Sequence, residues 1–140
     1  MPGKTLEEIE GFVWPEQEWD LGKRCNLVRK KPIDELTIAD IALLTRQNAS
    51  HATLVPMAIS ILEREPMAEG DLYPGELLMA VLGVKQHFWE AQPDLAAKVM
   101  AIANRVYEIV RQTKPMETGG TEHLLMAEIE WFRQKCAKVL

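Results

Sequence analysis

A run of apolar residues at helical spacing follows an acidic, glycine-rich turn near the middle of the chain. Four of its residues repeat at steps of one, three and four: Leu77, Leu78, Val81 and Leu82. Pro74 suits the first turn of a helix, and Glu76 would place a carboxylate at the positive end of the helix dipole. Gly83 can end the helix in the left-handed conformation. The pattern therefore predicts a buried central helix with an acidic loop in front of it.

Start and stop signals divide the rest of the chain into further helices. The segments 5–8 and 37–40 each read as a capping box, in which a threonine and an acid three residues later bond each other's backbone. Thr53 is a candidate cap for the next helix, which places Pro56 in its first turn. Val84 to Trp89 forms a short amphipathic piece. Two more helices are predicted from Pro93 and from Thr121 to Lys138, with a loop at 113–120 between them.

No segment alternates apolar and polar residues with a period of two, so no sheet is predicted. The expected fold is all-α: a single-domain bundle, residues 1–140, of about six helices packed in antiparallel pairs. We expect its core to centre on six side chains: Leu44, Ile59, Leu62, Leu77, Leu78 and Val81.

Charge is segregated at the N-terminal end. Residues 1–20 contain one lysine and six acids, a net charge of −5, whereas residues 21–31 contain five cations and no acid. We interpret 21–31 as a solvated stretch that pairs with nearby acids, and nucleic-acid binding there is the less favoured alternative. Trp14 and Trp19 lie in the acidic part, which we interpret as an arm that holds aromatic side chains against the main body.

Composition narrows the classes of function. The net charge of −5 and the isoelectric point of about 5.3 disfavour general nucleic-acid binding, which needs clustered lysine and arginine. No apolar run approaches the roughly 20 residues of a membrane span, and the N-terminal residues do not resemble a signal peptide, so we predict a cytoplasmic protein. Cys25 and Cys136 are expected to be free thiols, although the sequence alone leaves a disulfide open.

Catalytic, metal and cofactor sites are not predicted. His51, His87 and His123 lie on separate elements without a second ligand at helical spacing. The glycines Gly70 and Gly75 flank acids, which would repel a bound phosphate. These residues therefore indicate no catalytic centre, no metal site and no cofactor.

Acidic residues cluster in front of the central helix. Five acids fall between positions 63 and 76 with one opposing arginine, a local net charge of −4: Glu63, Glu65, Glu69, Asp71 and Glu76. Paired carboxylates can serve acid–base catalysis or bind a divalent cation, and a solvated loop is the simplest alternative. The remaining interpretation is a surface that binds a basic protein.

Several segments together resemble the helical family of immunity proteins from contact-dependent growth inhibition (CDI) systems. They are residues 36–48, 54–59, 66–78 and 88–89, so that the resemblance is strongest across 32–92. The tract 66–78 is the most specific, because helical hydrophobicity alone would not place Gly-Asp-Leu-Tyr-Pro-Gly in that order. Glu76 stands where the family usually has aspartate, so we expect its charge to be carried further out.

The resemblance implies a small cytoplasmic inhibitor without catalytic activity. It would bind and neutralise the toxic C-terminal domain of a CDI effector, with no direct contact to nucleic acid or membrane. Such toxins are often basic nucleases, which an acidic inhibitor would complement. We expect the toxin to contact Glu65, Glu69, Asp71, Tyr73 and Glu76. The acidic segment from Glu7 to Asp20 is the next candidate surface. The alternative function is a helical adaptor or scaffold for another basic protein or peptide.

Overall fold

The computed structural model describes residues 3–113 and 121–137, and within these ranges the chain is all-α, without a strand. The eight helices are α1 (Leu6–Glu10), α2 (Asp20–Arg29), α3 (Ile38–Arg46), α4 (His51–Arg64), α5 (Glu76–Leu82), α6 (Gln86–Ala91), α7 (Pro93–Thr113) and α8 (Thr121–Lys135). A 3-10 helix, Ile33–Glu35, lies between α2 and α3. The all-α prediction is confirmed, with eight helices in the described ranges where about six were expected. Most of the loop predicted at 113–120 lies outside the described residues.

Helix α5 is the centre of the packing. It contacts α3, α4, α7 and α8, while α2 packs on α3 and α6 packs on α7. All six side chains predicted for the core are buried: Leu44, Ile59, Leu62, Leu77, Leu78 and Val81. The central position of the apolar run at 77–82 is therefore confirmed.

Both predicted capping boxes are present. Thr5 and Glu8 bond each other's backbone at the start of α1, and Thr37 and Asp40 do the same at the start of α3. Although partial burial raises the pKa of the Asp40 carboxyl, hydrogen bonds from Lys31 and Thr37 outweigh that effect and hold it below its usual value.

Two predicted helix starts are wrong. Helix α4 begins at His51 after a left-handed Ser50, so Thr53 is not its cap and Pro56 lies inside the helix. Because Pro56 has no N–H, the carbonyl of Ala52 lacks its usual helical donor. Both residues are exposed, so this carbonyl is accessible to water in place of the missing donor. Helix α5 begins at Glu76, after Gly75 at φ 90°, and Pro74 precedes it. Gly83, expected to be left-handed, has φ −78°.

The basic stretch 21–31 forms most of helix α2 and is not only a solvated segment. Its predicted pairing with nearby acids is confirmed, since Lys30 pairs with Glu7 and Lys31 pairs with Asp40. The third pair joins Arg29, which is 1% exposed, to Glu10. Helix α2 was missed because its buried face includes this arginine, which a hydrophobic pattern does not count.

Arg29 attaches the N-terminal arm, residues 11–19, to the main body. Its guanidinium carbon lies 4.7 Å from the ring centroid of Phe12 and 4.6 Å from that of Trp14. Its Nη2 also donates to the carbonyl oxygen of Phe12 at 3.1 Å. The expectation that the arm holds aromatic side chains against the body is therefore confirmed for Trp14 and wrong for Trp19, which is 80% exposed.

Candidate functional site

The acidic loop between α4 and α5, residues 65–75, is tied to the start of α5 by its own backbone. The amide of Gly75 donates to the carbonyl of Met67 at 3.0 Å, and the amide of Leu77 donates to that of Ala68 at 3.4 Å. Ala68 is buried, so this end of the loop is part of the core. The loop is therefore fixed at both ends and presents residues 69–74 between them.

The carboxylate of Glu76 fixes the shape of the middle of the loop. Its Oε1 accepts from the amides of Gly70 at 3.0 Å and Leu72 at 3.1 Å. Its Oε2 lies 3.3 Å from Nη1 of Arg46, at the end of α3. The side chain of Glu76 is 2% exposed and that of Arg46 is 33% exposed, so the pair reaches solvent only through the arginine. Both oxygens are thus occupied by partners within the protein.

Glu76 is therefore not part of an exposed acidic face, and the expectation that its charge is carried further out is wrong. The reason is that the longer side chain turns back toward the loop, where two amides and a guanidinium provide the partners that a buried carboxylate requires. Sequence reasoning also missed Arg46, because its pairing with Glu76 spans 30 residues and follows no local pattern.

The two glycines of the loop are required for different reasons. A Cβ on Gly70 would lie 2.8 Å from the Cα of Ala39 and 2.8 Å from Oε1 of Glu76, so the loop approaches helix α3 too closely for a side chain. Gly75 has φ 90°, a backbone conformation that other residues rarely adopt. In the Gly-Asp-Leu-Tyr-Pro-Gly-Glu tract, both glycines and the glutamate are thus needed for the loop backbone to adopt its conformation.

Three predicted site residues do lie on the surface: Glu65, Glu69 and Asp71 are exposed. Asp71 lines a shallow depression together with Arg24 and Lys31 of the α2 region. Glu65 lines another together with Arg64. The surface is therefore acidic with cations at its edges, and two of them, Arg24 and Lys31, are not included in the net charge of −4 counted for residues 63–76. Next to Asp71, the side chain of Leu72 is 62% exposed and adds an apolar element.

Tyr73 is half-buried behind this surface. Burial is the main influence that raises the pKa of its phenol; the charge of Glu76 also raises it and that of Arg46 lowers it. The phenol is therefore neutral at physiological pH and unsuited to act as a nucleophile. That Tyr73 positions the loop stays a prediction, which its half-buried, amphipathic side chain suits.

The other candidate chemical groups do not converge. In residues 3–113 and 121–137, no group of three or more His, Cys, Asp or Glu side chains could hold a metal ion. His51 packs edge-on against Phe88 and lies within hydrogen-bonding distance of the Thr45 carbonyl. Cys25 and Cys136 are buried free thiols, and burial raises the pKa of each.

No helix among the described residues is sufficiently long and apolar to cross a bilayer. A search of curated proteins finds no match to the chain. A family model of CDI immunity proteins matches residues 7–99, about two thirds of the chain, and this range contains the acidic loop, Glu76 and the N-terminal arm. The chain therefore belongs to the family of CDI immunity proteins, whose role is immunity to a CDI toxin.

Proposed function

We propose that this protein binds the toxic C-terminal domain of one cognate CDI effector in the cytoplasm and neutralises it without catalysis. The observation that carries this proposal is the family match over residues 7–99. The toxin is proposed to be a basic nuclease, because the inhibitor has a net charge of −5 and opposite charges on two partners speed their association.

Within that function, the acidic loop is the proposed toxin contact. Glu69 and Asp71 are exposed on either side of Gly70, and Leu72 beside them can supply an apolar anchor. Glu65 lies at the edge of the same loop. Tyr73 and Glu76 act by positioning, since the first is half-buried and the second is buried. The role proposed for these two residues is therefore to hold the contact surface in shape.

Inhibition by binding alone agrees with the chemistry of the loop. The carboxylate of Glu76 is occupied by two amides and Arg46, so it has no free oxygen with which to accept a substrate proton. The Tyr73 phenol is neutral at physiological pH. These features support a surface that occludes the toxin's active site or substrate-binding surface.

Co-expression with the toxin domain of the cognate CDI effector tests the function. Cells that produce the toxin domain should survive only when this protein is present, and the two purified proteins should form a stable complex. The toxin should recover its full activity when the complex is dissociated, because no covalent change is involved. If this protein binds the toxin weakly and does not restore growth, the function is not immunity to that toxin.

Charge reversal tests the contact surface. We expect the double variant Glu69→Lys, Asp71→Lys to associate with the toxin at least several-fold more slowly than the wild type at low salt. The matched control is Glu90→Lys, Glu108→Lys on helices α6 and α7, which changes the net charge by the same amount. The difference in association rate between the two double variants should narrow at high salt. The Debye length, about 8 Å at physiological ionic strength, becomes shorter as salt is added, so the charges are screened more strongly.

Equal rates for the two double variants, both folded, would exclude the acidic loop as the contact. Tyr73→Phe serves as a second check on the positioning role. It keeps the ring and removes the hydroxyl, so it should change affinity slightly and leave protection of cells intact. A folded Tyr73→Phe variant that no longer protects would instead indicate a direct chemical role.

A further inference from the structure

Helix α2 exposes an aromatic and an aliphatic side chain on its outer face. Trp19, which caps the helix, is 80% exposed and Leu27 is 65% exposed. Lys23 lies four residues from each of them in sequence and is exposed as well. The opposite side carries the buried residues of the helix: Cys25, Val28 and Arg29. The exposure of Trp19 and Leu27 therefore follows from the orientation of a helix whose other side is packed.

Contacts within the protein hold the backbone on both sides of Trp19. On one side, the arm is held by the contacts of Arg29 with Phe12 and Trp14. On the other, the carbonyl of Trp19 accepts from the amide of Lys23 at 2.9 Å in the first turn of α2. A large side chain on an ordered backbone loses little conformational entropy on binding, which is the property of an effective interface anchor.

Free carboxylates flank this indole. Glu16, Glu18 and Asp20 are exposed and form no ion pair within the described residues. By contrast, Glu7 and Glu10 of helix α1 are paired with Lys30 and Arg29. A partner that fits this end of α2 therefore carries cationic side chains around an apolar pocket.

The surface of α2 is continuous with the acidic loop. Leu27 lines one shallow depression with Asp71 and Arg24, and it lines a second with Glu16 and Lys23. Leu27 thus lies between the loop and the arm, so that one partner can cover both without a gap. The exposed carboxylates of Glu16, Glu18 and Asp20 would repel the phosphates of a nucleic acid, so the partner that covers this surface is a protein.

We propose that the outer face of α2 is the second part of the toxin interface, with Trp19 and Leu27 as its apolar anchors and with Glu16, Glu18 and Asp20 opposite basic residues of the toxin. This inference rests on the proposed function and extends it. Tryptophan is enriched among the residues that dominate binding energy, and surrounding polar groups exclude water from such anchors. The α2 face thus holds the complex together, while the acidic loop mainly speeds its formation.

The test compares two exposed tryptophans. Trp19→Ala should weaken toxin binding by about 20-fold or more, mainly through faster dissociation. The matched control is Trp131→Ala, a tryptophan that is 60% exposed on α8, a helix that packs against α5 and α7. Its affinity should stay within about twofold of the wild type. Circular dichroism and thermal unfolding establish that both variants are folded, and Leu27→Glu is a second variant on the α2 face.

Charge is tested separately with Glu16→Lys, Glu18→Lys, which should slow association at low salt more than the Glu90→Lys, Glu108→Lys control does. A wild type that does not bind the toxin removes both this inference and the proposed function. If the wild type binds the toxin, and Trp19→Ala and Leu27→Glu bind it as tightly as Trp131→Ala does, the α2 interface alone is overturned. The α2 interface is also overturned if sedimentation shows that Trp19→Ala abolishes self-association of this protein while its affinity for the toxin is unchanged.

Discussion

Replacement of Glu76 by alanine is the sharpest test of how the loop is built. The change removes the acceptor of two backbone amides and the partner of Arg46. Hydrogen bonds to a charged group contribute about 1.5–3 kcal/mol each. The side chain of Arg46 is one third exposed, so water screens its attraction to Glu76. The loss of this ion pair therefore adds little to the cost. We therefore expect the free energy of unfolding to fall by about 3–6 kcal/mol.

Urea unfolding followed by circular dichroism measures this loss directly, and the melting temperature should fall by roughly 10–20 °C. Glu76→Gln keeps one oxygen as an acceptor for the amides, so it should lose about 1–2 kcal/mol. The control is Glu69→Ala, an exposed acid of the same loop, which should change stability by no more than about 0.5 kcal/mol. If Glu76→Ala is as stable as Glu69→Ala, the carboxylate does not hold the loop.

Three further predictions concern packing and the thiols. Gly70→Ala should destabilise the protein by about 1–3 kcal/mol in urea unfolding, because its Cβ would meet the backbone of helix α3. The control is Gly83→Ala, which should be neutral or stabilising, because Gly83 has φ −78° and its Cβ would lie 3.5 Å from the nearest atom. Leu78→Ala should cost about 2–5 kcal/mol, and an unchanged unfolding midpoint would contradict its burial. Cys25 and Cys136 should react with a thiol reagent only as the protein unfolds, since burial raises the pKa of both; rapid labelling of the native protein would contradict this.

The helices that the sequence predicts are those whose signals are local. The capping boxes of α1 and α3 each lie within four residues, and the apolar run of α5 has helical spacing throughout. Helix α2 lacks such a signal because a buried position is occupied by Arg29, whose partners Glu10, Phe12 and Ser50 are 17 to 21 residues away. Their contribution appears only after the chain has folded.

The candidate site shows the same division. The sequence identifies the acidic tract, and Glu65, Glu69 and Asp71 are exposed in the structure. It does not reveal the direction of the Glu76 side chain, which depends on Arg46 and on two loop amides. A count of charges treats all acids of a segment alike, whereas burial decides which of them a partner can reach.

One consequence of the loop's construction concerns how a new specificity can arise. The residues that set the backbone, Gly70, Gly75 and Glu76, contact only the protein itself, whereas the side chains of Glu69 and Leu72 project into solvent. Substitutions at the exposed positions therefore leave the frame intact, and mutation can explore them with little loss of stability. An inhibitor built in this way can follow a diverging toxin by altering surface side chains on a fixed scaffold, without an intermediate that fails to fold.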